Sequence, residues 1–256
     1  MSCRREAGSP WAPLMLQGVR RSRRMNSTKF TRVPRPAQVA KSTYDRLSRC
    51  YDLLTRFGEG EFTLAALQKL DVREGERVLE IGFGTGNAIL SLAESVGQAG
   101  HVFGIDISQG MYQVAQRKVE EAALAPRVTL IVGDARDLPC EPGEFDALFL
   151  SFTLELFDTP EIPKVLRECR RVLVPGGRMC VASLSKDQQL GLIGRFYEWL
   201  HLQLPRLLDC RPIPVQHVLR NEGFEVIHAE FKSLWGLPVA TVLAKNCLER
   251  DVTERR

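Results

Sequence analysis

The sequence predicts an α/β fold: a doubly wound, mostly parallel sheet of seven strands with an antiparallel edge strand, plus N-terminal and lid helices. Three observations predict it. From about residue 44, short apolar strands alternate with helices of 10–15 residues, a pattern typical of βαβ units. Runs such as 129–132 and 147–150 are continuously apolar, as expected of strands buried on both faces. The last two apolar runs are joined too tightly for a parallel crossover.

The elements up to residue 184 follow from periodicity and from turn residues. Residues 61–70 carry apolar side chains at helical spacing. Ser108 can cap the helix that begins just after this serine. Pro175-Gly176-Gly177 is expected to turn the chain into the fifth strand. The predicted strands are 77–81, 101–106, 127–132, 145–151 and 178–184, and the predicted helices are 61–70, 88–96, 111–124 and 161–173.

The C-terminal part has a different pattern. Residues 190–208 are dense in large apolar side chains, which fits either a core-facing helix or a lid helix that contacts an apolar acceptor or a membrane surface. Residues 215–222 are expected to form a short helix. The apolar runs 224–231 and 239–244 should then pair antiparallel at the edge of the sheet.

Charge is distributed unevenly along the 256 residues. Residues 1–41 hold ten Lys or Arg and one acid, Glu6, whereas the remainder has a net charge of −5. A nucleic-acid-binding face on the folded body is therefore not expected. Three interpretations of the basic segment stay open: a disordered leader (including an over-long start with Met25 as the true initiator), a transit peptide, or an arm that contacts anionic lipid. A cytoplasmic protein is expected, membrane-associated in the lipid alternative and mitochondrial in the transit-peptide alternative.

Cysteines and hydropathy exclude further classes. The seven cysteines are scattered, without a CxxC pair or a matching histidine pair, which argues against a disulfide scaffold and against a zinc site. No metal is expected. No run of about 18 apolar residues is present, so a transmembrane span is not expected. The sequence carries no signal of an oligomeric state.

A glycine-rich turn follows the first strand. Gly82-Phe83-Gly84-Thr85-Gly86 lies where a strand turns into a helix, so the backbone can approach a ligand closely beside free helix N–H groups. Asn87 takes the place of the third glycine of a dinucleotide-binding turn, and no P-loop lysine follows. Glu80 precedes the loop and would suit a ligand with an ammonium or sulfonium group.

Two more acids end the next two strands. A carboxylate at Asp106 can accept both hydroxyls of a ribose. Asp134, in Gly133-Asp134-Ala135, can accept from an adenine amino group. Because the carboxyl ends of parallel strands meet at one edge of the sheet, three acids around one glycine loop predict a pocket for a cationic nucleoside.

Together these residues resemble the class I S-adenosylmethionine-dependent methyltransferases, whose fold is Rossmann-like. The resemblance covers about residues 42–245 and includes Ser151 and the Pro175-Gly176-Gly177 turn, in that family's order. Within the class the chain is most similar to the menaquinone/ubiquinone C-methyltransferases and their phospholipid N-methyltransferase relatives. The residues that carry this closer similarity are Tyr44-Asp45-Arg46, Tyr51-Asp52, Phe152, Phe196-Tyr197 and Leu204-Pro205.

The resemblance implies S-adenosyl-L-methionine as cofactor and a domain over 42–248, with a lid or substrate region at about 186–214, a leader at 1–41 and a tail at 249–256. If their segment is helical, Tyr44 and Tyr51 would lie on one face of it. They would form a lid over the cofactor, with Tyr44 nearest to it. The implied cofactor-binding residues are Tyr44, Glu80, Gly82, Gly84, Thr85, Gly86, Asp106, Ile107, Met111, Asp134, Ala135 and Ser151.

The expected reaction is methyl transfer to a lipophilic small molecule, either a prenylated quinone precursor or a phospholipid amine, with peripheral membrane contact. Tyr197 and His201 are the candidate catalytic residues. His217 is expected to be surface, and Glu155 either lines the acceptor pocket or is a solvated loop acid. The alternatives are a methyltransferase for a polar metabolite and a non-catalytic S-adenosylmethionine-binding protein of the same fold; a nicotinamide oxidoreductase is disfavoured by Asn87 and Asp134.

Overall fold

A computed structural model describes residues 58–188 and 211–247. Several predictions fall on residues outside these ranges. They are Tyr44, Tyr51, Tyr197, His201, the leader 1–41, most of the lid region 186–214 and the tail 249–256. In the described residues, no helix is long and apolar enough to cross a membrane.

The described residues form five α-helices and seven strands, close to the predicted bounds. The helices are α1 (Glu59–Leu70), α2 (Asn87–Ser95), α3 (Gln109–Glu121), α4 (Ile162–Val172) and α5 (Val215–Asn221). The strands are β1 (Arg77–Ile81), β2 (His101–Asp106), β3 (Val128–Val132), β4 (Phe145–Ser151), β5 (Leu173–Leu184), β6 (Phe224–Leu234) and β7 (Leu237–Asn246).

The strands form one sheet in the order β3-β2-β1-β4-β5-β7-β6. Strands β1 to β5 are parallel, and β7 is antiparallel to both of its neighbours. This confirms the predicted antiparallel pair at the edge of the sheet. Within the pair, the more buried β7 lies inside and β6 forms the edge. Edge strands commonly carry charge, and β6 includes Glu230 and Lys232.

Helices cover both faces of the sheet. On one face α1, α2 and α3 pack against residues such as Val78 and Phe149. On the other face α4 and α5 pack against Leu79 and Leu148. Neighbouring strand residues point to opposite faces, so both faces of β1 and β4 are buried. The doubly wound prediction is confirmed.

One element boundary differs from the prediction. Strand β5 begins at Leu173, directly after α4, and already includes the three residues expected to form a turn before it. Gly176 adopts a φ of +79°, and the register against β4 shifts between Phe145 and Ala147. The glycines therefore produce an irregularity inside the strand, because a bulge can absorb them without ending the pairing.

Candidate active site

A cavity of about 350 Å³ opens at the carboxyl ends of the central parallel strands. It lies where the chain order along the sheet reverses, between β1 and β4, which is the usual ligand crevice of an open α/β sheet. The sequence-predicted residues that line it are Glu80, Gly82, Gly84, Thr85, Asp106, Ile107, Met111, Asp134, Ala135 and Ser151.

Gly86 is not among the lining residues. It caps the N-terminus of α2 with a φ of +82°. A Cβ atom at this position would lie 2.8 Å from the Cβ of Ala115 on α3, closer than two carbon atoms can pack. Gly86 therefore brings the loop and α3 together, and its predicted part in cofactor binding, which is to shape the loop, stays a prediction.

Asp106 fixes the glycine loop from the end of β2. Its Oδ2 accepts a hydrogen bond from the backbone N–H of Gly84 at 2.9 Å, and its Oδ1 accepts from that of Ser108 at 2.9 Å. Ser108 in turn caps α3 by accepting from the N–H of Met111. A carboxylate oxygen can accept more than one hydrogen bond, so the held carboxylate retains the geometry to receive ribose hydroxyls.

Glu80 is buried at the end of β1, with 3% of its surface exposed. Its Oε2 has no hydrogen-bond partner in the described part of the chain. Burial, and then the charge of Asp106, raise the pKa of Glu80 well above its usual value. A buried acid without a partner is costly, and a bound cation with N–H donors would provide the missing partner.

Asp134 has a partner that the sequence analysis missed. Arg136 donates to both of its carboxylate oxygens, at 2.9 Å from Nε and 2.5 Å from Nη2. Arg136 also donates to Glu161 on the loop before α4. These hydrogen bonds lower the pKa of Asp134. An adenine amino group would therefore share Asp134 with a guanidinium, whereas the sequence analysis expected adenine as the donor.

The end of β4 is tied to α1. The hydroxyls of Thr63 and Ser151 share a hydrogen bond of 2.8 Å, and the rings of Phe62 and Phe152 meet edge to face at 6.3 Å. Glu59 lies one helical turn before Thr63 and also lines the cavity. The contribution of α1 was not predicted, because its position over β4 depends on these contacts between distant parts of the chain.

Two acids near this end of the cavity have raised pKa values. Burial raises the pKa of Glu59 to about 7. Glu155 has 1% of its surface exposed, and burial, with the charge of Glu59 as a smaller cause, raises its pKa to about 7. Glu155 is neither a cavity-lining residue nor a solvated loop acid, so both sequence expectations for it were wrong. His217 is exposed and contacts Asn221, as expected for a surface residue.

The site geometry agrees with the comparisons with known proteins. Residues 78–177 match the methyltransferase domain family. Over 181 residues the chain is 30% identical to a demethylmenaquinone methyltransferase of Geobacillus sp. (strain WCH70), a match that covers 71% of this chain and 75% of the relative. The chain is a class I S-adenosylmethionine-dependent methyltransferase related to the menaquinone methyltransferases.

Solved structures show the same fold as this methyltransferase. The [4+2]-cyclase SpnF has a TM-score of 0.69 at 19% identity, covering 85% of this chain and 98% of that one. A SAM-dependent methyltransferase from Aquifex aeolicus has a TM-score of 0.54 at 22% identity, covering 83% of this chain and 99% of that one. At these identities the likeness concerns the fold alone.

The cofactor of the methyltransferase is S-adenosylmethionine, which supplies an electrophilic methyl group on a sulfonium when bound. The cavity fits this group in two respects. The Oε2 of the cavity-lining Glu80 has no hydrogen-bond partner among residues 58–188 and 211–247, which suits an ammonium group. The loop at Gly82 leaves no room for a side chain next to Thr153, so the backbone itself forms the wall on which an elongated ligand can lie.

Proposed function

We propose that this methyltransferase transfers a methyl group to a lipophilic small molecule, a prenylated quinone precursor of the demethylmenaquinone type. The observation that carries the proposal is the 30% identity to an enzyme named for that acceptor, in a match that covers 75% of that enzyme's length. The composition of the cavity beyond β4 is consistent with it. The apolar residues that line this part are Leu64, Leu67, Phe152, Leu156 and Phe157.

The cofactor would extend along the carboxyl edge of the sheet. In this proposal Ala135 and Asp134 border the adenine, Asp106 accepts from the ribose hydroxyls, and Glu80 receives the ammonium group. The acids follow the strand order β3-β2-β1, which matches the order of these three parts in the molecule. The sulfonium would then lie near β1 and Ser151, and the acceptor would approach from the side of β4.

The protein contributes orientation and exclusion of water to this reaction. An in-line displacement needs the nucleophile about 3 Å from the methyl carbon on the side opposite the sulfur. Positive charge disperses as the bond to sulfur breaks, so a site that excludes bulk water favours the reaction. The cluster of buried apolar residues that contains Phe62, Phe152 and Leu184 would exclude that water. Since such an acceptor partitions into lipid, peripheral contact with a membrane surface belongs to the proposal.

The test uses methyl-labelled S-adenosylmethionine with three separate acceptors: reduced demethylmenaquinone in detergent, phosphatidylethanolamine vesicles, and a water-soluble metabolite extract. We expect label in the quinol, and loss of labelling in Asp106→Ala. Label in phosphatidylethanolamine alone would reject the quinone and keep a lipophilic acceptor. Label in water-soluble products alone would reject the proposal in favour of a polar acceptor, and binding of the donor without transfer to any acceptor would indicate a non-catalytic protein.

A further inference from the structure

Two acids of the cavity region have no role in holding the cofactor. Glu59 lines the cavity at the start of α1, and Glu155 is buried just after β4. Both lie on the β4 side, whereas Glu80, Asp106 and Asp134 follow the ends of β1, β2 and β3. If the cofactor occupies the β3-to-β1 side, Glu59 lies in the part of the cavity that the acceptor must enter, whereas Glu155 is buried and does not line the cavity.

The position of Glu59 is fixed by the rest of α1. The hydroxyl of Thr63, one turn further along, bonds the hydroxyl of Ser151 at 2.8 Å. Residues four apart share a face of a helix, so Glu59 and Thr63 are presented to the same side, and both line the cavity. On the opposite side of the helix start, Gly58 packs on Leu234 so closely that a Cβ would lie 2.6 Å from its Cδ1.

Glu155 is the second acid, and a hydrogen bond holds it in the interior. Its Oε1 accepts a hydrogen bond from the backbone N–H of Leu184 at 3.1 Å. Its Oε2 is buried and has no hydrogen-bond partner within residues 58–188 and 211–247. Burial is the main cause of the raised pKa of Glu155, and the charge of Glu59 is a smaller one, whereas burial alone raises the pKa of Glu59.

We propose that Glu59, which lines the cavity at the start of α1, is the general base of the methyl transfer. The inference rests on the proposed function, because a quinol acceptor loses a proton during C-methylation. The acceptor carbon forms a bond to the methyl carbon while the carbon–sulfur bond breaks, and that electron pair stays on sulfur. The acceptor's proton passes to the carboxylate of Glu59, which becomes neutral.

The protonation properties of Glu59 suit this role. Its pKa of about 7 lies near neutral pH, where a general base combines sufficient ionisation with sufficient basicity. The other charged groups that line the cavity are Glu80, Asp106, Asp134, Arg136 and Glu161. The hairpin between β6 and β7 adds the uncharged residues Leu234 and Trp235 next to the helix start.

The experiment compares Glu59→Gln with Glu61→Gln, a matched control on the same helix whose side chain is exposed. Isotope-edited infrared titration of the holoenzyme should show two carboxyl groups that titrate near a pKa of about 7, of which one is missing from Glu59→Gln and neither is missing from Glu61→Gln. Calorimetry should give the same donor affinity for both variants. Single-turnover transfer to reduced demethylmenaquinone should fall about 10²-fold or more in Glu59→Gln, with loss of the acidic limb of its pH–rate profile.

Glu155→Gln is a second control. The amide keeps an acceptor for the N–H of Leu184 and removes the other carboxyl group with a pKa of about 7. The acidic limb of the pH–rate profile should remain in this variant, while donor affinity stays unchanged. If Glu59→Gln does not fold, Glu59→Asp serves instead: the shortened carboxylate should retain the acidic limb with a lower maximal rate. Loss of the acidic limb in Glu155→Gln, with the limb retained in Glu59→Gln, would overturn the role of Glu59.

Equal transfer rates in Glu59→Gln and Glu61→Gln, or a Glu59 carboxyl group that titrates at the usual glutamate pKa of about 4, would overturn the role of Glu59. Failure of the proposed function is distinguishable from this outcome. If wild type methylates phosphatidylethanolamine or another lipid instead of the quinol, the quinone proposal fails, and the same two variants are compared on that acceptor. Wild type that methylates none of the acceptors overturns both proposals.

Discussion

The backbone N–H of Gly84 donates a hydrogen bond of 2.9 Å to Oδ2 of Asp106. This contact joins the loop after β1 to the end of β2, and the second oxygen of the same carboxylate accepts from Ser108 at the start of α3. One side chain therefore holds the loop and the next helix in fixed positions. The ligand that we assign to Asp106 would meet a carboxylate that is already oriented.

Asp106→Ala should weaken binding of S-adenosylmethionine by more than about tenfold, because hydrogen bonds to a charged group are worth about 1.5–3 kcal/mol and the loop loses its anchor. Calorimetric titration of the purified protein measures this change. Glu121→Ala, exposed at the end of α3, is the control and should bind as wild type does. Equal affinity in the two variants would contradict the ribose assignment.

Gly86→Ala should reduce the free energy of unfolding by about 2–4 kcal/mol, because the new Cβ collides with Ala115 and the residue has a positive φ. Gly84→Ala is the matched comparison: it has a φ of +52° but nothing within 4 Å of the added atom. It should cost only the backbone strain of about 1–2 kcal/mol. Urea unfolding of both variants measures the two losses in the free energy of unfolding. Equal losses would argue against close packing at Gly86.

Glu80→Gln should stabilise the protein without cofactor at neutral pH and weaken its affinity for the cofactor. The folded-state pKa of Glu80 is raised by burial and by Asp106. Its charge therefore opposes folding, and wild-type stability falls as pH rises above the unfolded pKa of about 4. Glutamine has no charge, so this contribution disappears. Thermal unfolding between pH 4 and 8 measures it; a variant less stable than wild type at neutral pH would contradict the assignment.

Arg136→Gln should destabilise the protein most at neutral pH. Arg136 lowers the folded-state pKa of Asp134, so this pair stabilises the fold above the unfolded pKa of about 4. The contribution is lost as pH falls through the lowered folded-state value. The difference in unfolding free energy between variant and wild type should therefore shrink on acidification. A difference that stays constant from pH 7 to pH 3 would show that the pair has no electrostatic role.

Sequence reasoning was most successful where short-range patterns decide structure. The alternation of strand and helix, the Ser108 cap and the glycine loop all appear as expected. It failed at Glu155, a polar residue after a strand that would ordinarily remain in water. The N–H of Leu184, 29 positions away, donates a hydrogen bond to the carboxyl group of Glu155 and holds it in the interior. No local pattern contains that contact.

The amino-acid sequence alone determined the parallel sheet, the acids at the strand ends and the place of the cofactor loop, because hydrophobic periodicity and turn chemistry act over a few residues. Only the tertiary structure decided that Arg136 pairs with Asp134 and Glu161, and that α1 delivers Glu59 to the cavity. These arrangements depend on how distant segments pack and on how much water they exclude. The packing of α1 that brings Glu59 to the cavity also buries it, and burial raises the pKa of Glu59.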